Sequence, residues 1–402
     1  MKRTGDLKLM QELNRYLILD AIRKNGPISR AKVAQDLGIS PTTVTAAVSD
    51  FIAEGLVEEA GPGESTLNGG RKPVLIQFCP DNQFLVCVSV TNSAIVLSEV
   101  NLNAVVKRKR VTPLVNGLGP AVMDRLIESI ADFLGTFPSL SNCLGLSVVS
   151  PGIVDRERGV LLYNAKFHLT NVSVTDILEQ RFGLKVWLEN DANALVMAEK
   201  EMGDFDPGDN LVFVTIGDGI GTGIIVNGSV YRGAKGGAGE VGHISINKNG
   251  IRCECGNTGC LENYVGWPSV YSKICSSIVR RIPSVIADLC GGDLNQITPA
   301  IYHQALDMHD SLALEIADEA AQYLAQGLVT LTNILNPSAI VLGGELFQGN
   351  QRFLSIVQRY VAETALHGIN DELVIRFTSL GEDDKLIGAA TVALNQVFHF
   401  SI

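Results

Sequence analysis

The chain predicts an α/β protein of two lobes behind an N-terminal winged helix-turn-helix. Three observations lead there. The first 78 residues hold a helix, a glycine turn, a further helix and two short apolar strands around a Gly- and Pro-bearing wing. Beyond them, apolar strand-like runs repeatedly end in Gly or Asp loops and hand over to amphipathic helices, the pattern of α/β domains. Within the second set of such units, three of eight cysteines, Cys253, Cys255 and Cys260, cluster around a tight loop.

Composition sets the bounds. At 402 residues the chain is long enough for two or three domains, and 46% hydrophobic with 19% charged residues is an ordinary globular balance. No run of about 18 apolar residues is present, so no membrane partner is expected. The opening Met1-Lys2-Arg3-Thr4-Gly5-Asp6 lacks the apolar core of a signal peptide, so a cytoplasmic protein with reduced cysteines is expected. The net charge of −11 argues against a surface that binds nucleic acid everywhere. The charge is uneven, however: residues 1–73 hold 10 Lys and Arg against 9 Asp and Glu, which leaves −12 for the remainder. A DNA contact must therefore come from the N-terminal segment.

In that segment, Leu13, Leu17, Ala21 and Ile22 recur at helical spacing from Gln11 to Lys24, and Pro27 ends the helix. Ser29 caps a second helix, Arg30 to Leu37, and Gly38 makes the turn. Ser40-Pro41 opens a third, with Val44, Val48 and Ile52 expected on its buried face and Thr42, Thr43, Thr45, Ala46 and Ser49 elsewhere. Residues 56–59 and 74–76 read as the wing strands. The spacing suits a recognition helix in the major groove, with short hydroxyls meeting phosphates or bases. Gly69-Gly70-Arg71-Lys72-Pro73 reads as a basic finger for a minor groove. Ser40, Thr42, Thr43, Thr45, Ser49, Arg71 and Lys72 are thus the expected DNA contacts. A small helical dimerisation domain would share the pattern but not the exposed threonines and basic wing.

The two lobes follow. Residues 84–90 and 94–100 read as successive strands, 119–134 as a helix, and 144–149 as a buried strand ending in Ser150-Pro151-Gly152. A strand at 186–188 leads into Glu189-Asn190-Asp191 and a helix at 192–202. A strand-end Asp there is either a ligand contact at the mouth of an open sheet or a helix N-cap. The strand at 211–216 ends in Gly217-Asp218-Gly219-Ile220-Gly221-Thr222-Gly223, and the one at 339–342, after a long helix at 313–335, in Gly343-Gly344. Such glycine loops are either phosphate cradles or plain turns.

The cysteine loop carries the sharpest chemistry. His243, Cys253, Cys255 and Cys260 offer one imidazole and three thiolates, a closed tetrahedral set that suits structural Zn²⁺. Gly256 and Gly259 punctuate the loop where positive φ or close backbone approach is needed. Buried free thiols are the bland alternative. Glu240 precedes His243 by three residues and Glu262 follows Cys260 by two, so a metal-pinned loop holds both carboxylates rigidly, as acceptors for polyol hydroxyls.

Pro151-Gly152, Glu189-Asn190-Asp191, the 217–223 glycine loop, Glu240-Val-Gly-His243, the Cys253–Glu262 loop and Leu342-Gly343-Gly344 resemble, in this order, the ROK family of bacterial repressors and sugar kinases. With its helix-turn-helix head, the chain is similar to the branch of xylose and N-acetylglucosamine repressors. The resemblance implies an actin-like, ribonuclease-H-like two-lobed fold of the sugar-kinase type, a structural zinc and a sugar between the lobes. It places sugar contacts on Gly152, Asn164, Asn190, Asp191, Glu240, His243 and Glu262, with Asp191 matching the general base of the kinases. It implies domains at 1–78, 79–190 completed by a C-terminal helix at 384–402, and 191–383.

Departures from the kinase pattern are informative. Ser89, Thr91 and the absence of a glycine pair replace the first phosphate loop, and Asp218 puts a carboxylate where ATP phosphates would lie. Lys166-Phe167-His168 replaces a tryptophan-bearing segment beside Asn164. The expected function is a sugar-responsive repressor and not an enzyme, with operator DNA and an inducer sugar as partners and a homodimer or dimer of dimers as the assembly. An ATP-dependent sugar kinase with a DNA-binding head is the rival reading, and a constitutive DNA-binding protein with a vestigial sugar site is a third.

Overall fold

A computed structural model describes residues 7–63, 72–114, 119–203, 205–206, 208–368 and 371–398. Gly69, Gly70 and Arg71, expected in the basic finger, lie outside them.

The head comprises α1 (Leu7–Asn25), β1 (Ile28–Ser29), α2 (Arg30–Leu37), α3 (Pro41–Ala53), β2 (Val57–Pro62) and β3 (Val74–Phe78), with an antiparallel sheet in the order β1-β3-β2. The caps expected from sequence form. Ser29 accepts the Lys32 amide at 3.2 Å, Gly38 takes a left-handed φ of 64° to end α2, and Ser40 accepts the Thr43 amide at 3.2 Å. One buried position differs. Val44 and Val48 are buried, but Ile52 is 38% exposed and Phe51 takes the core place. At about 100° per residue, position +8 from Val44 has turned roughly 80° off the stripe and position +7 only about 20°.

The first lobe holds β4 (Phe84–Val90), β5 (Ala94–Asn101), β6 (Val106–Pro113), α4 (Val122–Leu134), β7 (Cys143–Ser150), β8 (Ile153–Asp155), β9 (Val160–Asn164), β10 (Leu169–Ser173), α5 (Val174–Phe182) and β11 (Val186–Asn190). The expected helix at 119–134 begins as a short 3₁₀ turn, Gly119–Ala121. Its sheet runs β11-β7-β4-β5-β6: an antiparallel meander of β4, β5 and β6, extended by parallel β7 and β11. β6 was not expected, because Lys107-Arg108-Lys109-Arg110 breaks the apolar pattern; charge is tolerated there because β6 is an edge strand. A separate antiparallel sheet, β10-β9-β8, touches the main sheet where β8 meets β11.

The chain then enters α6 (Asp191–Met202) and the second lobe: β12 (Leu211–Ile216), β13 (Ile220–Val226), β14 (Ser229–Val230), α7 (Glu262–Val265), α8 (Trp267–Val279), α9 (Val285–Leu289), α10 (Pro299–Asp307), α11 (Ser311–Leu335), β15 (Ala339–Gly343), α12 (Gln351–Thr364) and β16 (Val374–Phe377), followed by α13 (Asp384–Val397). Its sheet, β14-β13-β12-β15-β16, repeats the plan of the first: a β12-β13-β14 meander extended by parallel β15 and β16.

Two helices tie the lobes together. α6 leaves β11 of the first lobe and packs on β12 and β13 of the second, whereas α13 leaves β16 of the second and lies across β4, β5 and β7 of the first. They cross closely at Gly388, where a Cβ would stand 3.2 Å from the Ala194 Cβ. Leu19 and Ile22 of the head share one apolar core with Leu85 and Cys87 of β4 and Leu386 and Ala389 of α13. No helix among the described residues is long and apolar enough to cross a membrane.

Candidate functional site

The donor atoms of His243, Cys253, Cys255 and Cys260 lie within 4.8 Å of one another. The loop folds back through Cys253 N–H to Asn257 O at 2.8 Å and Ile246 N–H to Gly259 O at 2.9 Å. Gly259 has a φ of 73°, and a Cβ there would stand 1.8 Å from Asn247 O, so no other residue lets the strands approach. Cys253 Sγ is 3.7 Å from His243 Nδ1, and Cys255 Sγ is 3.6 Å from Cys260 Sγ. With bonds of about 2.1–2.3 Å, tetrahedral ligands stand roughly 3.5–3.8 Å apart, so this set fits one small cation. Burial and the two neighbouring thiols push Cys260 up to about 12, and burial also raises Cys253. A bound cation is what would relieve that crowding by taking the thiols as thiolates. The cluster can hold a metal ion.

The other ring nitrogen of His243, Nε2, lies 3.9 Å from Glu240 Oε2. The imidazole therefore joins the cysteine loop to Glu240. Glu240 keeps 49% of its side-chain surface exposed, yet the protein around it removes enough water to raise its carboxyl; the charges of Glu262 and Asp191 add to the rise and His243 opposes it. Those interactions bring three carboxylates from both lobes towards one point. Glu262 opens α7, and its Oε2 accepts the Ile220 amide at 3.1 Å. Gly219 makes room for this contact: a Cβ there would lie 2.4 Å from Glu262 Oε2.

The first lobe supplies the opposite wall. Asn190, and not Asp191, caps α6, accepting the Asn193 amide at 3.0 Å and donating from Nδ2 to Gly152 O at 3.0 Å. Asp191 is the first helical residue and keeps one oxygen beyond its 3.0 Å bond from Ala192 N–H. Burial raises its carboxyl, with the Lys385 charge and the Ala192 amide opposing. Gly152 has a φ of 103°, and a Cβ there would meet Tyr163 O at 2.3 Å. Asn164 is buried, and its amide is spent on the backbone, donating to Pro151 O at 3.0 Å and accepting from Phe167 N–H at 2.9 Å. Asn164 thus shapes the loop under Gly152. The contribution of Ile220 N–H, the fit of Gly219 to Glu262 and the proximity of Lys385 to Asp191 were not foreseen. Only the glycine had a visible signal, the Gly217-Asp218-Gly219 triplet.

In β4, Ser89 is buried and its Oγ has no hydrogen-bond partner among the described residues. Thr91 Oγ1 bonds Ala94 O at 3.0 Å and receives the Ala94 amide at 3.0 Å, closing the β4–β5 turn on itself. Asp218 is half-buried at the tip of the β12–β13 hairpin. On the head, Ser40, Thr42, Thr45, Ser49 and Lys72 are exposed, and Thr43 is half-buried with its hydroxyl 2.8 Å from Ser40 Oγ.

Similarity to known proteins follows the same division. Residues 12–58 match a winged helix-turn-helix DNA-binding family. A putative xylose repressor of Caldicellulosiruptor sp. is 28% identical over 401 residues, covering 98% of this chain and 99% of that protein. The xylose repressor of Bacillus subtilis is 26% identical, covering 97% of each, and the N-acetylglucosamine repressor of Escherichia coli O157:H7 is 27% identical, covering 92% and 90%. Among solved structures, a ROK family transcriptional regulator homologous to the E. coli MLC protein shares the fold with a TM-score of 0.81 at 24% identity, covering 97% of each chain. A ROK family glucokinase from Streptomyces griseus, in complex with glucose and AMPPNP, shares it with a TM-score of 0.66 at 24% identity, covering 76% of this chain and 98% of that one. Residues 90–396 match the ROK family, and with that match running over most of its length this chain belongs to the ROK family.

Proposed function

We propose that this protein is a sugar-responsive DNA-binding repressor of carbohydrate genes whose inducer sugar lies between the lobes and releases operator DNA. The observation that carries the reading is the run of α6. Its first residue, Asp191, lies near enough to Glu240 of the other lobe to raise that carboxyl, and its last, Met202, lines a junction with Leu19 and Arg23 of the head and Leu394 and Asn395 of α13. A sugar that draws Asp191 and Asn190 towards Glu240, His243 and Glu262 would move a helix that abuts the DNA-reading domain. A ligand shifts the DNA equilibrium only by its difference in affinity between the two states. Gly152 and Asn164 shape the first wall of the cleft, and Zn²⁺ on His243, Cys253, Cys255 and Cys260 holds the second.

The functional units are 1–78, 79–190 with 384–402, and 191–383. Ser40, Thr42, Thr43, Thr45, Ser49, Arg71 and Lys72 face operator DNA, and a homodimer or dimer of dimers in the cytoplasm reads a two-fold site. Phosphoryl transfer is not expected, because Ser89 and the self-closed Thr91 turn offer neither a carboxylate for Mg²⁺ nor open backbone for a phosphate, and Asp218 repels one. The test screens xylose, glucose, N-acetylglucosamine and their phosphates by thermal shift, then measures operator affinity with and without each sugar that binds. Sugar-dependent loss of operator affinity supports the reading; equal operator affinity with the cleft saturated overturns it, and ATP-dependent turnover lost in Asp191→Asn would favour the kinase.

A further inference from the structure

Glu189 is a carboxylate that follows Val186, Trp187 and Leu188 in β11, 1% exposed, and its charge has unusual company. Arg232 donates to Glu189 Oε2 from Nη2 at 2.6 Å and from Nε at 3.2 Å. Arg156 Nε stands 3.9 Å from the same oxygen. With the Gln396 amide turned so that its oxygen faces Arg156, that oxygen accepts from Arg156 Nε at 3.1 Å. The three charged residues come from separate places: Glu189 from β11, Arg156 from the loop after β8, and Arg232 from just beyond β14 in the other lobe. A buried carboxylate is tolerated when paired and fully hydrogen-bonded, and here half of its pairing is borrowed across the lobe boundary.

The remaining oxygen works on the cleft. Glu189 Oε1 accepts the Asn190 amide at 3.0 Å and Asn193 Nδ2 at 3.3 Å, which fixes the strand-to-helix corner that presents Asn190 and Asp191. The arginine partner works on the other wall. Arg232 lies eight positions before Glu240. The segment between them packs on the first lobe: a Cβ on Gly236 would stand 2.2 Å from Val154 O, and Gly237 faces Ile153. The anchor of Arg232 on Glu189 therefore governs where this segment delivers Glu240.

We propose that Glu189 is a positioning residue which, through Arg232 and Arg156, sets the mutual aim of the Asn190–Asp191 and Glu240 walls of the cleft. The ion pair is a latch between the lobes, and it holds the two walls in the mutual aim that a bound ligand needs. This rests on the reading of the cleft as a sugar site, and one arm of the test needs no sugar.

Hydrogen exchange of the full-length, metal-loaded protein is compared for wild type, Arg232→Gln, Arg232→Lys, Arg156→Gln and Glu189→Gln. Arg232→Gln should speed exchange in both 186–193 and 231–243, on opposite sides of the cleft, and Arg232→Lys should restore part of the protection. Acceleration confined to the neighbours of residue 232 overturns the latch. The second arm titrates glucose, xylose and N-acetylglucosamine well below each variant's Tm, where a plain loss of stability leaves affinity unchanged. For a sugar that wild type binds, Arg232→Gln should weaken binding at least tenfold and Arg232→Lys less; affinities within twofold of wild type overturn the proposal. Should wild type bind none of them, the sugar reading loses support while the exchange arm still decides the latch. If Glu189→Gln does not fold, the arginine variants carry the test alone.

Discussion

The two lobes share one strand plan, and their first hairpins occupy equivalent places, yet the hairpins do opposite things. The β4–β5 turn closes on itself through Thr91, whose hydroxyl meets the backbone of Ser93 and Ala94. The β12–β13 turn is glycine-flanked and left open enough for Glu262, far along the chain, to take the Ile220 amide. The same backbone frame therefore satisfies its own groups in one lobe and meets a distant carboxylate in the other. What decides is whether the loop satisfies its amides locally or leaves one for a distant acceptor.

The comparison can be broken most severely at the metal loop, since the second hairpin depends on a carboxylate that the loop anchors. Cys260→Ser should reduce bound zinc from about one ion per chain to none and abolish sugar binding, read by metal analysis and thermal shift. Full sugar affinity in metal-free protein would detach the loop from the site. Gly219→Ala comes next: its Cβ would lie 2.4 Å from Glu262 Oε2, so the carboxylate or the hairpin must shift. Sugar affinity should fall by about tenfold or more while zinc content stays intact.

Asp191→Asn sharpens the contrast on the opposite wall. Loss of a charge-assisted hydrogen bond of about 1.5–3 kcal/mol should weaken sugar binding roughly ten- to a hundredfold. The stability effect has the other sign. Burial raises the Asp191 carboxyl in the folded state, so its ionised form destabilises the fold as pH rises through that raised value. The asparagine variant should show a higher Tm than wild type at pH 7 and none of that gain below about pH 4, where the carboxyl is protonated in both states. A lower Tm at pH 7 would mean that Lys385 outweighs burial.

Thr91→Ala is the matching change in the self-closed hairpin. It should cost about 1 kcal/mol of stability from lost turn hydrogen bonds and leave sugar affinity unchanged by calorimetry. A change in affinity would show that the first hairpin also reaches the ligand. Smallest of all, Thr42→Ala on the exposed face of α3 should leave stability within about 0.5 kcal/mol and affect operator binding alone, measured by fluorescence anisotropy.

Much of this was legible locally. The Ser29 and Ser40 caps, Gly38, the strands at 84–90 and 211–216 and the helix Arg30–Leu37 follow from propensity and periodicity, and they form where expected. The cysteine cluster was legible because all four donors lie within 18 consecutive residues, so short loop geometry brings them together. The slip from Ile52 to Phe51 lay within reach of the turn of about 100° per residue; the charged edge strand β6 and the transfer of the cap from Asp191 to Asn190 did not, because each depends on where a neighbouring element lies.

The order of elements, the helix caps, the clustering of the four metal-capable donors and the family signature follow from residues near one another in the chain. That Glu262 serves the Ile220 amide, that Glu189 borrows Arg232 from the other lobe, and that α6 and α13 each pack on the opposite lobe's sheet emerges only from the packed molecule. Those pairings join segments from tens to about three hundred residues apart. Local propensity says nothing about them, because they are selected by which buried charge and which apolar face must be satisfied once the sheets have met.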